Sequence, residues 1–174
     1  YTTNQGGAQS EGFDLQGEWL ITDALNLDFS LGYTDAHYTS TSQSAGLVLA
    51  NPGDKLPGSP WTFSLGAQYN TTVLGRESYL RMDYEYAGKE NSLTPERDPA
   101  TTLYDGGLLP NPATHRVSLR AGVTLNKIDL ALFADNLLNS NPQLDLNHQD
   151  SNTLLYEATT FRPRTVGLSA ICRY

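Results

Sequence analysis

The chain has a single cysteine, Cys172, so an internal disulfide is excluded. No apolar run approaches the roughly 18–20 residues of a membrane helix, which excludes a helical span. Positive charge is scarce: 11 Lys and Arg stand against 19 Asp and Glu, for a net charge of −8. A nucleic-acid partner calls for a basic patch, and this balance argues against one. The three histidines, His37, His115 and His148, have no metal-ligand spacing to one another or to the cysteine. They read as solvated residues in or beside polar loops. Asp145, Asp150 and Glu157 lack the spacing of a calcium loop and read as solvated charges. Neither a G-x-S-x-G elbow nor a G-x-x-x-x-G-K phosphate loop occurs. Glu77, Asp83 and Glu85 lie close enough to suggest paired carboxylates, yet no nucleophile and base accompany them. Neither catalysis nor a cofactor is expected. No secretory signal opens the sequence, which starts YTTNQGGAQ, so targeting information is expected upstream of Tyr1.

What is present is alternation. In Arg116 to Leu137, RVSLRAGVTLNKIDLALFADNL, two runs of ten residues flank Asn126-Lys127. Val117, Leu119, Ala121, Val123 and Leu125 share one face; Arg116, Ser118, Arg120, Gly122 and Thr124 share the other. Side chains of a strand point to opposite faces with period two, so this reads as a β-hairpin with one apolar and one polar face. The same pattern predicts strands at 11–20, 26–35, 61–70, 79–88 and 165–174.

Three regularities follow. Each predicted strand has about ten residues, near the 9–11 that a tilted strand needs to cross a bilayer. The connections alternate between short (21–25, 71–78, 126–127) and long (36–60, 89–115, 138–164), which places every long one at the same end. Outer-membrane barrels have this asymmetry. On the apolar face, aromatics sit near the strand ends. Trp19, Tyr69 and Tyr174 lie toward the short turns, and Tyr33, Trp61, Tyr84 and Tyr86 toward the long loops, as interfacial girdles do.

The opposite face carries Asp28, Arg81, Asp83, Glu85, Arg120 and Asp129 along the strands, while the apolar face has no charge away from its tips. A hydrophobic content of 39% suits a barrel, in which only every second strand residue meets lipid. The expected fold is therefore all-β: an antiparallel up-and-down meander of seven transmembrane strands, with Leu130 facing lipid at mid-bilayer. Two alternatives stay open at this point. One is a small eight-stranded outer-membrane barrel of structural or enzymatic role. The other is a soluble β-sandwich binding module, whose strands alternate as well.

Four stretches carry a family resemblance. NQGGAQSEGFDLQGEW (Asn4 to Trp19) puts Asp14 in the acidic place of a strand that follows a polar loop. LPGSPWTFSLGAQY (Leu56 to Tyr69) enters a strand through Pro and Gly. FADNLLN (Phe133 to Asn139) holds Asn136, Leu137 and Asn139. FRPRTVGLSAICRY (Phe161 to Tyr174) holds Pro163, Arg164 and the aromatic terminus Tyr174. In this order the set resembles the C-terminal barrel region of TonB-dependent outer-membrane receptors, over nearly all of the chain. Leu138 departs from the pattern where an aromatic is common, and Tyr174 stands in place of the more usual Phe.

The resemblance implies the C-terminal part of a 22-stranded outer-membrane β-barrel in a bacterial cell, its C-terminus at the periplasmic side. All of 1–174 would belong to that barrel domain. A plug domain, the earlier strands and a TonB-contacting segment would lie in a preceding part of a longer chain. The implied function is energy-coupled uptake of a scarce small-molecule ligand, siderophore-iron by family default. The partners would be the plug, the TonB complex, outer-membrane lipid and the ligand. Arg81, Asp83, Glu85, Arg116 and Arg120 become candidates for facing the lumen or touching the plug, and the three long loops for meeting the ligand.

Overall fold

The computed structural model describes residues 6–44, 46–92, 94–149 and 153–172. Tyr174 and Asp150 lie outside the described residues. Every described element is a strand. The long strands are β1 (Ala8–Leu20), β2 (Leu25–Tyr38), β5 (Trp61–Val73), β6 (Arg76–Ala87), β7 (Thr114–Leu125), β8 (Ile128–Asp135) and β11 (Thr165–Cys172). They form one antiparallel seven-stranded sheet in the order β1-β2-β5-β6-β7-β8-β11. Chain order is kept throughout, so the sheet is the expected up-and-down meander. Two short hairpins lie inside the long connections: β3 (Ser42–Ser44) with β4 (Leu47–Ala50), and β9 (Gln143–His148) with β10 (Tyr156–Thr160). These segments lack the long alternation of the main strands and read from sequence as loop.

Two of the three short turns are tighter than expected, and the third is Asn126-Lys127 as expected. The connection expected over 71–78 shrinks to Leu74-Gly75, because Thr71 to Val73 continue β5 and Arg76 to Ser78 already pair in β6. Leu74 and Gly75 take φ of 50° and 73°. Two consecutive positive φ values give the turn whose twist matches that of paired strands. At the first turn the Thr22 hydroxyl accepts from the amides of Ala24 and Leu25 at 3.2 and 3.0 Å. Asn126 turns the third hairpin with φ 56°. At the other end β8 stops at Asp135, not Leu137, because Asn136 leaves the strand with φ 48°.

Register keeps the two faces separate across the sheet. One row runs Leu15, Leu31, Phe63, Tyr86, His115. A row on the other face runs Glu18, Asp28, Gly66, Asp83, Ser118. The polar face also carries Ala131, Ile171 and two rings, Tyr79 and Phe133, which lie over Gly122 and Gly167, where a Cβ would collide with them. Glycine opposite an aromatic lets the ring lie flat along the sheet.

Nothing described covers the apolar face. The buried hydrophobic residues are Ala50 and Ala131 alone among the described residues, while Leu168 is 81% exposed and Trp19 65%. An open apolar surface of this extent marks a contact with lipid or a partner. Toward the long loops the rings of Phe13, Tyr33 and Trp61 cluster, with Tyr33 and Trp61 at 4.5 Å, and Tyr84, His115 and Tyr86 continue the belt. Leu130 is not at mid-strand. It stands one paired step from Ile128 beside the Asn126-Lys127 turn, whereas Leu119 occupies the middle of β7.

Candidate functional site

The polar face is built around Arg81. Asp28 and Asp83 fall in one register row with Gly66 between them. Two carboxylates so placed repel, and a cation between them removes the penalty. Arg81, one paired step along β6, reaches back over Gly66. Its guanidinium donates to both oxygens of Asp28 at 3.0 and 3.2 Å and meets Asp83 at 2.6 Å. Gly66 makes room, since a Cβ there would strike the Asp28 carboxylate and the Arg81 guanidinium. Arg120 turns the other way, donating to the Tyr79 hydroxyl at 2.9 Å and to Ser169 at 2.7 Å. It thereby links β6, β7 and β11. Arg116 meets Glu85 at 3.5 Å, a looser and more exposed pair.

Of the five residues singled out from sequence, Arg81, Asp83 and Arg120 are thus engaged within the sheet, and Arg116 and Glu85 remain open to a further partner. Asp14, Glu18, Glu77 and Asp135 share this face, with no hydrogen bond or ion pair among the described residues. Alternation puts them there, but their free state is a matter of neighbours and does not show in the sequence.

The FADNLLN and FRPR stretches come together. Asn136 is 2% exposed; its amide donates to the carbonyls of Ser140 and Arg162 at 2.8 and 2.9 Å, and its oxygen accepts from the Ser140 amide at 2.9 Å. Asn139, with φ 51°, accepts from the Arg164 amide at 3.0 Å. Arg164 donates to the Leu137 carbonyl at 3.3 Å, and the Leu137 amide donates to Val117. Pro163 sits in the segment that Asn136 and Asn139 clamp. An asparagine satisfies a buried turn with both donor and acceptor and tolerates the left-handed backbone. The motif is therefore a clasp that closes the exit of β8 onto the entry of β11.

The long connections form a layer of their own. Glu90 is buried, and its carboxylate accepts from Ser92 at 2.7 Å and from Arg97 at 3.0 Å. Burial pushes its pKa up, but the hydrogen bonds from Ser92 and Arg97 outweigh that and hold it below the ordinary range. Gln143 of β9 donates to Leu109 and Asn111. Asp105 accepts from the Tyr156 hydroxyl at 2.8 Å and meets His148 at 2.6 Å, while His148 stacks on Tyr156 with ring centres 4.4 Å apart. The Tyr156 hydroxyl, the Gly107 amide and His148 hold the Asp105 pKa below its usual value.

His148 is therefore not the solvated loop residue expected; a partner 43 positions away packs against it. His115 likewise belongs to β7 and bonds the Tyr84 hydroxyl at 2.8 Å. All three long connections meet around a cavity of about 430 Å³ lined by Gly58, Ser59, Glu90, Asn111, Gln143 and Asp145. No group of His, Cys, Asp and Glu suited to a metal occurs among the described residues.

A sheet with one open apolar face, one charged face and all long connections at one end defines a piece of a membrane barrel wall. A family model described as TonB dependent receptor-like, beta-barrel, matches residues 1–137, and the chain belongs to that family. This is a family of receptors and not of enzymes. Among solved structures, the crystal structure of the ferric yersiniabactin uptake receptor FyuA from Yersinia pestis is similar, with a TM-score of 0.73 at 15% identity. The match covers 96% of this chain and 24% of that one, so the chain spans about a quarter of the receptor it resembles. At this identity the likeness shows the fold. No curated protein sequence matches the chain.

Proposed function

We propose that the chain is the C-terminal part of a 22-stranded outer-membrane barrel that takes up a scarce small-molecule ligand by energy-coupled transport. The observation that carries this is the strict alternation of two-to-four-residue turns with long, mutually packed connections along one two-faced meander. Short periplasmic turns and long extracellular loops give a barrel this form. Seven strands leave two edges, and in lipid an open edge leaves backbone groups unpaired. Earlier strands of a longer chain close the barrel. The C-terminus is then periplasmic, because β11 runs toward the short-turn side.

In this reading the apolar face meets outer-membrane lipid. Arg116 and Glu85, with Asp135 beside them, face a plug domain from the same parent chain, and the TonB complex acts on that plug. Arg81, Asp83 and Arg120 stiffen the wall behind it. The cavity between the three long connections forms part of the ligand vestibule. The ferric yersiniabactin uptake named for the FyuA structure supports an iron-carrying chelate as the ligand class.

The test is uptake of a labelled ferric siderophore by cells that carry the full parent chain as their only such receptor. Accumulation that needs both this chain and TonB supports the proposal. Accumulation that proceeds without TonB, or no binding of any chelate tried, refutes it.

A further inference from the structure

The apolar face is not smooth. Near the short turns it carries a trough of about 640 Å³. Its floor is Ser78 and Ala121, which are small; its walls include Leu80, Leu130, Leu132 and Leu168. The register makes the trough continuous: Leu80 pairs with Ala121, Ala121 with Leu132, and Leu132 with Leu168. Small side chains flanked by branched ones leave a channel wide enough for a straight hydrocarbon chain.

At the turn end of this trough stands Arg76. Its guanidinium donates to the Asn126 side chain at 3.0 Å, which ties it to the neighbouring turn. It makes no ion pair among the described residues. A guanidinium has five N–H donors in a planar fork suited to phosphate. An anchored cation without a counter-charge, at the mouth of an apolar trough, is complementary to an amphiphile with an anionic head.

We infer that this trough is a binding site for one glycerophospholipid of the leaflet on the short-turn side. One acyl chain lies over Ser78 and Ala121, and the phosphate meets Arg76. The inference rests on the membrane reading proposed above.

The test uses the full parent chain, purified in detergent, mixed with phosphatidylglycerol or with uncharged diacylglycerol, and read by native mass spectrometry. Wild type holds one phosphatidylglycerol and binds diacylglycerol about tenfold more weakly, the size expected for a charge-assisted hydrogen bond. Arg76→Gln keeps a donor for Asn126 but removes the charge, and lowers retention about tenfold. Ala121→Leu fills the trough and lowers it similarly, with no change at Arg76. Equal retention by wild type and both variants overturns the site. Equal retention of the two lipids overturns the role of the phosphate. A parent chain that stays soluble without detergent defeats the membrane reading itself, a result distinct from a detergent-dependent barrel that holds no lipid.

Discussion

Arg81 reaches across an intervening strand to Asp28, passing over Gly66, where no side chain blocks it. Gly66→Ala puts a methyl group in the path of the pair and should destabilise the barrel by about 1–3 kcal/mol, the usual cost of overpacking. Asp28→Asn should cost about 1 kcal/mol or less, because the pair is about a third exposed and partly screened by water. Urea unfolding of the full parent chain in lipid vesicles checks the order. A larger loss for Asp28→Asn would mean that the charge matters more than the space.

The clasp at Asn136 should matter more than any exposed charge. Asn136→Ala leaves a buried turn without three hydrogen bonds, at a cost of roughly 2–4 kcal/mol. Asn139→Gly keeps the left-handed backbone and loses only the bond to the Arg164 amide, at about 1 kcal/mol. Folding yield into vesicles and unfolding midpoints measure both.

The cost of a charge on the apolar face should depend on depth. Leu119→Arg, at mid-strand, should cost about 2–4 kcal/mol. Leu130→Arg, beside the turn, should cost nearer 0–1 kcal/mol. Ser118→Arg, on the polar face, should be milder than Leu119→Arg although the two are neighbours in sequence. Equal penalties at 118 and 119 would contradict the assigned faces.

Acid should loosen the layer of long connections. The Asp105 pKa is depressed by the Tyr156 hydroxyl, the Gly107 amide and His148. A depressed carboxylate lends stability that is full above its unfolded value and is lost as pH falls through the folded value. The window therefore lies below about pH 4. Pepsin cleavage within 88–113 should rise steeply across that window in wild type. In Asp105→Asn it should be raised throughout and vary less with pH. A wild-type profile as flat as that of the variant would remove Asp105 from the tie.

The strands and their faces were legible because a period-two pattern survives wherever one face meets a single kind of neighbour. Leu27, Phe29 and Leu31 announce their face without help from distant residues. Strand ends were less so: Thr71, Thr72 and Val73 carry no alternation, and their pairing with 76–78 depends on the Leu74-Gly75 turn. The loop layer was hidden for another reason. His148 and Asp105 lie far apart in sequence, and only the fold brings them to 2.6 Å. Asn136 and Asn139 stood out as a family motif, but their work as a clasp shows only in the hydrogen bonds to Ser140, Arg162 and Arg164.

The most direct test of the account scans β7. Single cysteines at 114 to 125 in the full parent chain, with Cys172 replaced by alanine, carry a nitroxide label in lipid vesicles. Labels at 117, 119, 121 and 123 should be accessible to oxygen dissolved in the bilayer, and labels at 116, 118, 120 and 122 should not. Period-two alternation in that phase confirms that the apolar face meets lipid. A flat profile, or alternation in the opposite phase, contradicts it.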